Sequence, residues 1–149
     1  MKKLTRLVVL SLLLVAPLGC GAWSKIAPVV VSVIEAVADA VPILDSIVAW
    51  ADRHFAVAPD AAAQAKLDEQ VGRCRASLVE AHRRARAGDE GALESFRVEW
   101  AKLKTTIATV PGVKLAPAAA PGSLAISFSD EKTGATLFVP APTGVEVEQ

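Results

Sequence analysis

The chain has 149 residues, 16 basic and 16 acidic side chains, and an apolar content of 52%. This length is sufficient for one domain with a buried core. Nothing in this charge balance indicates the strongly basic surface that nucleic-acid binding requires, so we predict no nucleic-acid partner.

The first 19 residues have the layout of a secretory signal peptide. Lys2, Lys3 and Arg6 precede an uncharged run of 13 residues at 7–19. That run is shorter than the roughly 20 apolar residues a membrane-spanning helix needs. A basic start, a short apolar middle and small residues before the cut are typical of a cleaved signal. Cleavage after residue 19 leaves 13 basic and 16 acidic side chains.

The letters PLGC at 17–20 resemble the lipobox of bacterial lipoproteins, in which a small residue precedes a cysteine. Gly19 matches the small residue and Cys20 the cysteine, whereas Pro17 and Leu18 depart from the usual Leu and Ala or Ser. The resemblance implies cleavage between Gly19 and Cys20 and diacylation of the Cys20 thiol. Two or three long acyl chains hold a protein on a membrane for practical purposes permanently.

Two alternatives to lipidation stay open, namely a signal peptide cut elsewhere and an uncleaved anchor. Gly21 occupies the position where lipoproteins retained at the inner membrane have Asp. The resemblance therefore implies a place in the outer membrane facing the periplasm. We expect residues 20–25 to form the lipid anchor and a short tether.

The fate of Cys20 also decides the state of Cys74, the second cysteine. If Cys20 is acylated, Cys74 has no intrachain partner, and we predict a small buried apolar side chain. If Cys20 is free, an oxidising compartment would favour a disulfide between them.

Residues 26–112 are predicted to form an antiparallel bundle of three helices, the first of which covers 25–57. Pro28 belongs near the start of this helix, and Pro42 is predicted to kink or split it. Glu35, Asp39 and Asp45 disfavour a membrane span, because a carboxylate at the bilayer centre is costly. Steps of three and four residues define its expected buried face: Ile26, Val30, Val33, Val37, Val41, Leu44, Val48, Ala51 and Phe55.

The second helix is predicted from Pro59 or Asp60 to Gly88, with i,i+4 ion pairs Glu69–Arg73 and Glu80–Arg84. Its apolar stripe comprises Leu67, Val71, Cys74, Leu78, Ala81 and Ala85.

The third helix is predicted from an Asp89 cap to about Thr109. Its seam comprises Leu93, Phe96, Trp100, Leu103, Ile107 and Val110. We expect both Trp50 and Trp100 to lie in the core.

The remainder is predicted to be a Pro/Ala-rich linker at 113–122 and a β-hairpin with a tail at 123–149. Two alternating segments, SLAISFS and ATLFVP, are separated by DEKTG, in which Gly134 supplies the positive φ of the turn. An isolated hairpin is only marginally stable, so we expect it to pack on the bundle. The final GVEVEQ adds a short edge strand or frays. The whole chain is therefore predicted to be mainly α.

Few residues qualify as candidates for a polar site. His54 and His82 are the only histidines and lack further ligands at metal-binding spacing, and no nucleophile motif is present, so we predict no metal, no cofactor and no enzyme activity. Arg83, Arg84 and Arg86 are candidates for contact with lipid headgroups or another anion. The stronger interpretation is that these cations interact favourably with the helix macrodipole. Trp23, close to the proposed anchor, suits the headgroup zone.

The sequence therefore predicts a membrane-anchored structural or protein-interaction module of the cell envelope, held by acyl chains on Cys20 and possessing an envelope protein partner. The alternative is a carrier for a small apolar or lipid ligand within the bundle. That alternative rests on a second apolar row of the first helix: Val29, Val31, Ile43, Ile47 and Trp50.

Overall fold

The computed structural model describes residues 20–116 and 125–140, with side chains from Ser24 onward. In this part of the chain three α-helices are followed by three short antiparallel strands. The predicted mainly α fold, with a helical bundle and a C-terminal hairpin, is confirmed.

Helix α1, Cys20–Val57, is continuous over 38 residues and contains both prolines. It begins at Cys20, so residues 20–25, expected to be a tether, are helical, and Pro28 lies inside the helix rather than in its first turn. Pro42 does not split the helix. Both Pro42 and Ala38 are exposed, so water can solvate the Ala38 carbonyl, which loses its N–H partner at the proline.

The buried side of α1 is rotated slightly from the predicted face. Val41 was expected in the core but is 42% exposed, whereas Ala36, Ala40 and Ile47 are fully buried. Val30, Val37 and Val48 are only half-buried. Ala36 and Ala40 are thus buried more completely than Val37 and Val41, which follow them in the chain.

Helix α2, Ala61–Arg86, begins directly after Asp60 and ends two residues before Gly88, close to the predicted bounds. The Asp60 side chain caps it by accepting hydrogen bonds from the N–H groups of Ala62 and Ala63, at 3.1 and 2.9 Å. Beyond the helix, Gly88 has a φ of 81°, the left-handed conformation that favours glycine.

Helix α3, Glu94–Ala108, begins later than predicted and is not capped by Asp89. The Asp89 carboxylate instead accepts from the Gly91 N–H at 2.9 Å, which stabilises a turn ahead of the helix. The ion pair predicted between Glu80 and Arg84 is also wrong, whereas Glu69–Arg73 is confirmed at 2.6 Å.

Two short distances show that α1 and α2 are antiparallel. Arg75 Nη2 donates to Asp45 Oδ1 at 2.8 Å, and a Cβ at Gly88 would lie 3.3 Å from Ile26 Cγ1. Cys20 begins α1 25 residues before Asp45, which is roughly 38 Å along the axis. A disulfide needs Cα atoms within about 7 Å, so Cys20 cannot pair with Cys74 in this fold.

The sheet has the order β1–β2–β3, formed by Val113–Leu115, Ile126–Asp130 and Thr136–Val139. Strand β1 occupies the start of the predicted 113–122 linker and pairs with β2 as an extra strand. Gly134, with a φ of 69°, lies in the turn between β2 and β3 as predicted. The predicted tail at 141–149 lies outside the described residues, as does 117–124.

The hairpin packs on the bundle, as expected. Ile126, Phe128 and Val139 are buried in the same core as the helices. The rings of Trp50 and Phe128 meet edge to face with centroids 4.6 Å apart. Trp50 and Trp100 are both buried, which confirms their predicted place in the core.

Candidate functional site

The end of the molecule at which α1 begins contains the proposed anchor. Because Ile26 lies beside Gly88, Gly88 is about 9 Å along the axis from Cys20, and the last turn of α2 ends two residues before Gly88. The fold therefore brings Arg83, Arg84 and Arg86 to the same end as Cys20. Trp23 also belongs to this end by its backbone, and its side chain lies outside the described part.

Two of the three arginines are already bonded to carboxylates. Arg83 Nη2 donates to Glu80 Oε1 at 2.6 Å, and Arg84 Nε donates to Asp89 Oδ2 at 2.7 Å. These hydrogen bonds lower the pKa of Glu80 and that of Asp89 from their usual values. Arg83 and Arg84 thus carry less uncompensated positive charge than the sequence alone indicates.

A cleft of about 270 Å³ opens between α1 and the turn that precedes α3. Val29, Val33 and Leu93 contribute apolar surface, whereas Glu90 and Glu94 contribute charge. A second groove of about 450 Å³ follows α2 and α3 and is lined by Lys, Glu, Gln, Arg and Thr side chains. Both are open to solvent, unlike the enclosed apolar cavity a lipid carrier requires.

The opposite end of the molecule contains a buried polar network centred on Asp130 of β2. Its Oδ2 accepts hydrogen bonds from Trp50 Nε1 at 2.9 Å and Thr133 Oγ1 at 2.7 Å, and it lies 2.9 Å from His54 Nδ1. Its Oδ1 accepts from the Lys132 N–H at 2.9 Å. Both His54 and Asp130 are buried, so this network connects α1 to the sheet within the core.

Asp130 is held in its ionised form. Burial alone raises the pKa of a carboxyl group, but the hydrogen bonds from Thr133, His54, Lys132 and Trp50 hold the pKa of Asp130 well below its usual range. An ionised Oδ2 is an acceptor only, so His54 carries a hydrogen on Nδ1. The Nε2 atom of His54 is buried without a hydrogen-bond partner.

No local pattern in the sequence indicates this network. His54 has no further ligands at metal-binding spacing, and Asp130 lies 76 residues away. The local sequence indicates a role only for Asp130, which precedes a turn. Its side chain accepts a hydrogen bond from the Lys132 N–H, as Asp and Asn side chains at turns commonly do. Neither of the two described clefts is lined by His54 or Asp130. The contacts of the pair join the sheet to the bundle.

Cys74 is a buried free thiol in α2, as predicted. Burial raises the pKa of this thiol to about 12, so the reactive thiolate is scarce at neutral pH. Among the described residues, no group of three or more His, Cys, Asp or Glu side chains is arranged to hold a metal ion.

By length and composition alone, the helical segment 24–57 could cross a membrane, since an 18-residue window within it has a mean hydropathy of 1.9. Signal sequences and buried core helices share that property. No protein-family model, curated protein or solved structure matches this chain.

Proposed function

We propose that this protein is a bacterial lipoprotein, anchored through acyl chains on Cys20, that presents its helical bundle as a noncatalytic structural or interaction module in the cell envelope. The observation that carries the proposal is the combination of a basic start, a 13-residue apolar run and the letters PLGC at 17–20. The absence of Asp at position 21 favours the outer membrane, facing the periplasm.

The continuity of α1 supports an anchor that is rigidly joined to the body. The helix runs without interruption from Cys20 into the core, so chains attached at Cys20 would move with the bundle. The apolar side chains left open on α1, including Val31 at 52% and Val41 at 42% exposure, support a protein partner rather than an enclosed ligand.

Metabolic labelling with palmitate tests the anchor. Wild type and Cys74→Ala should both be labelled and fractionate with membranes, whereas Cys20→Ala should lose the label. Cys74→Ala is the matched control, since it removes the other thiol of the chain. Label on Cys20→Ala would contradict the proposed site.

Crosslinking in the intact envelope tests the role as an interaction module. We expect a discrete protein adduct. Recovery of bound lipid without any protein adduct would instead favour the carrier function.

A further inference from the structure

We propose that the outer face of the α1–α2 pair binds a second copy of this chain in antiparallel orientation. We call this surface the α1–α2 face: Ala38 and Val41 of α1 with Asp68, Gly72, Ala76, Val79 and Arg86 of α2. All of these residues are exposed. The pairing itself does not depend on lipidation.

The centre of the α1–α2 face is apolar. Val41 and Val79 are 42% and 73% exposed, and each lies one helical turn from the Asp45–Arg75 ion pair, in the same direction along the antiparallel helices. Both valines therefore border the same groove between α1 and α2, on the same side of this ion pair. Two apolar side chains at one groove differ from apolar side chains exposed singly elsewhere, which need no explanation.

Small residues surround this centre and leave it open. Ala38 and Ala76 present only methyl groups, and a Cβ at Gly72 would meet no other atom within 4 Å. A second helix can therefore approach the face closely, which permits ridge-into-groove packing.

The two ends of the face carry opposite charges at matched distances. Asp68 and Arg86 are 18 residues apart, which is five full turns, so they lie on one stripe of α2 about 27 Å apart. The midpoint of that stripe falls between Ala76 and Val79. In a two-fold symmetric dimer the same surface of each copy is used. A two-fold axis through this midpoint places Asp68 of each copy opposite Arg86 of the other copy, so two such contacts form.

This pattern fits a second copy better than a lipid surface. The Asp45–Arg75 pair and the Asp68 carboxylate lie in or beside the face, and inserting them among acyl chains would remove their hydration at high cost. A copy of the chain instead supplies a matching apolar centre and an oppositely charged group for each end.

Antiparallel pairing places the two Cys20 ends at opposite ends of the dimer. If both are acylated in one membrane, the dimer must lie along the membrane surface. Only this orientation on the membrane rests on the proposed function. If the wild-type protein takes up no palmitate, the orientation no longer follows, but the proposed pairing is unaffected.

Two differently tagged copies of the full-length protein, mixed in detergent, test the pairing by affinity capture. Wild type should capture wild type. Asp68→Arg alone and Arg86→Asp alone should each lose self-capture by about tenfold or more, because both place like charges opposite each other. Mixing Asp68→Arg with Arg86→Asp should restore capture, since both contacts then join opposite charges.

Val79→Lys should abolish self-capture, whereas Val98→Lys, at an exposed position of α3 outside the face, should leave it intact. Circular dichroism of each variant confirms that the helices remain folded. Shared micelles cannot produce this pattern, because every variant keeps the same N-terminus. Absence of wild-type self-capture, capture only of a different protein, or failure of the oppositely charged variants to recover binding would overturn the proposal.

Discussion

The two halves of α1 differ in burial although both are rich in Val, Ile and Ala. Between residues 24 and 39, Val33 and Ala36 are the buried side chains, and Val31 is half exposed. Between residues 40 and 57, the buried set is Ala40, Leu44, Ile47, Trp50, Ala51, His54 and Phe55.

The difference follows from what lies beside each half. The sheet covers the C-terminal half through Phe128 and Asp130, whereas an open cleft borders the N-terminal half. His54, which has a polar side chain, is buried, whereas the apolar Val31 is exposed. Burial along this helix is therefore decided by its neighbours and not by its own hydropathy.

The largest expected effect comes from Asp130→Ala, which removes the acceptor shared by Trp50, His54 and Thr133. Breaking a buried, hydrogen-bonded charge in this way should lower the free energy of unfolding by about 3–5 kcal/mol. Ser129→Ala is the matched control, since its side chain is the exposed neighbour on the same strand. Urea unfolding measures both, and equal midpoints for the two variants would show that the network contributes no stability.

A matched pair on α1 tests the comparison directly. Leu44→Ala should cost about 2–5 kcal/mol because it empties a fully buried site. Val31→Ala should change the free energy of unfolding of the isolated protein by no more than about 0.5 kcal/mol. A large loss for Val31→Ala in the same urea titration would mean that the N-terminal half is covered.

Acid should weaken the C-terminal half through Asp130. Its folded-state pKa lies below the unfolded value of about 3.9, so its contribution is fully present above that value and is lost as the pH falls through the folded pKa. Unfolding midpoints at pH 7 and pH 3 should therefore differ more for wild type than for Asp130→Asn. Equal differences for both proteins would contradict the proposed state of Asp130.

The smallest expected effect concerns the N-terminal cap of α2, three residues after the end of α1. Asp60→Ala leaves the N–H groups of Ala62 and Ala63 to water and should cost about 1 kcal/mol in urea unfolding. Asp60→Asn should retain most of the stability, because its side-chain oxygen can still accept. If Asp60→Ala unfolds at the same urea concentration as wild type, the cap contributes no stability.

The helices could be predicted because each stripe recurs with the helical period over four or more turns. Leu67, Cys74, Phe96 and Trp100 are all buried as their spacing indicates. The start of α3 could not be placed from the sequence, since Asp89 is equally suited to cap a helix or to stabilise a turn.

Strand β1 was missed because a three-residue strand such as VKL has too little alternation to distinguish it from a linker. The His54–Asp130 contact was missed for a different reason. It joins residues 76 positions apart through a packing of sheet on helix that no local pattern specifies. The rotated buried face of α1 has the same origin, because apolar residues surround most of that helix and leave its orientation undetermined.

Intact mass spectrometry of the mature protein purified from membranes tests the lipid anchor most directly. The account predicts a chain that begins at Cys20 and carries the added mass of two or three long acyl chains. An N-terminus at any other residue, or an unmodified Cys20, would contradict it.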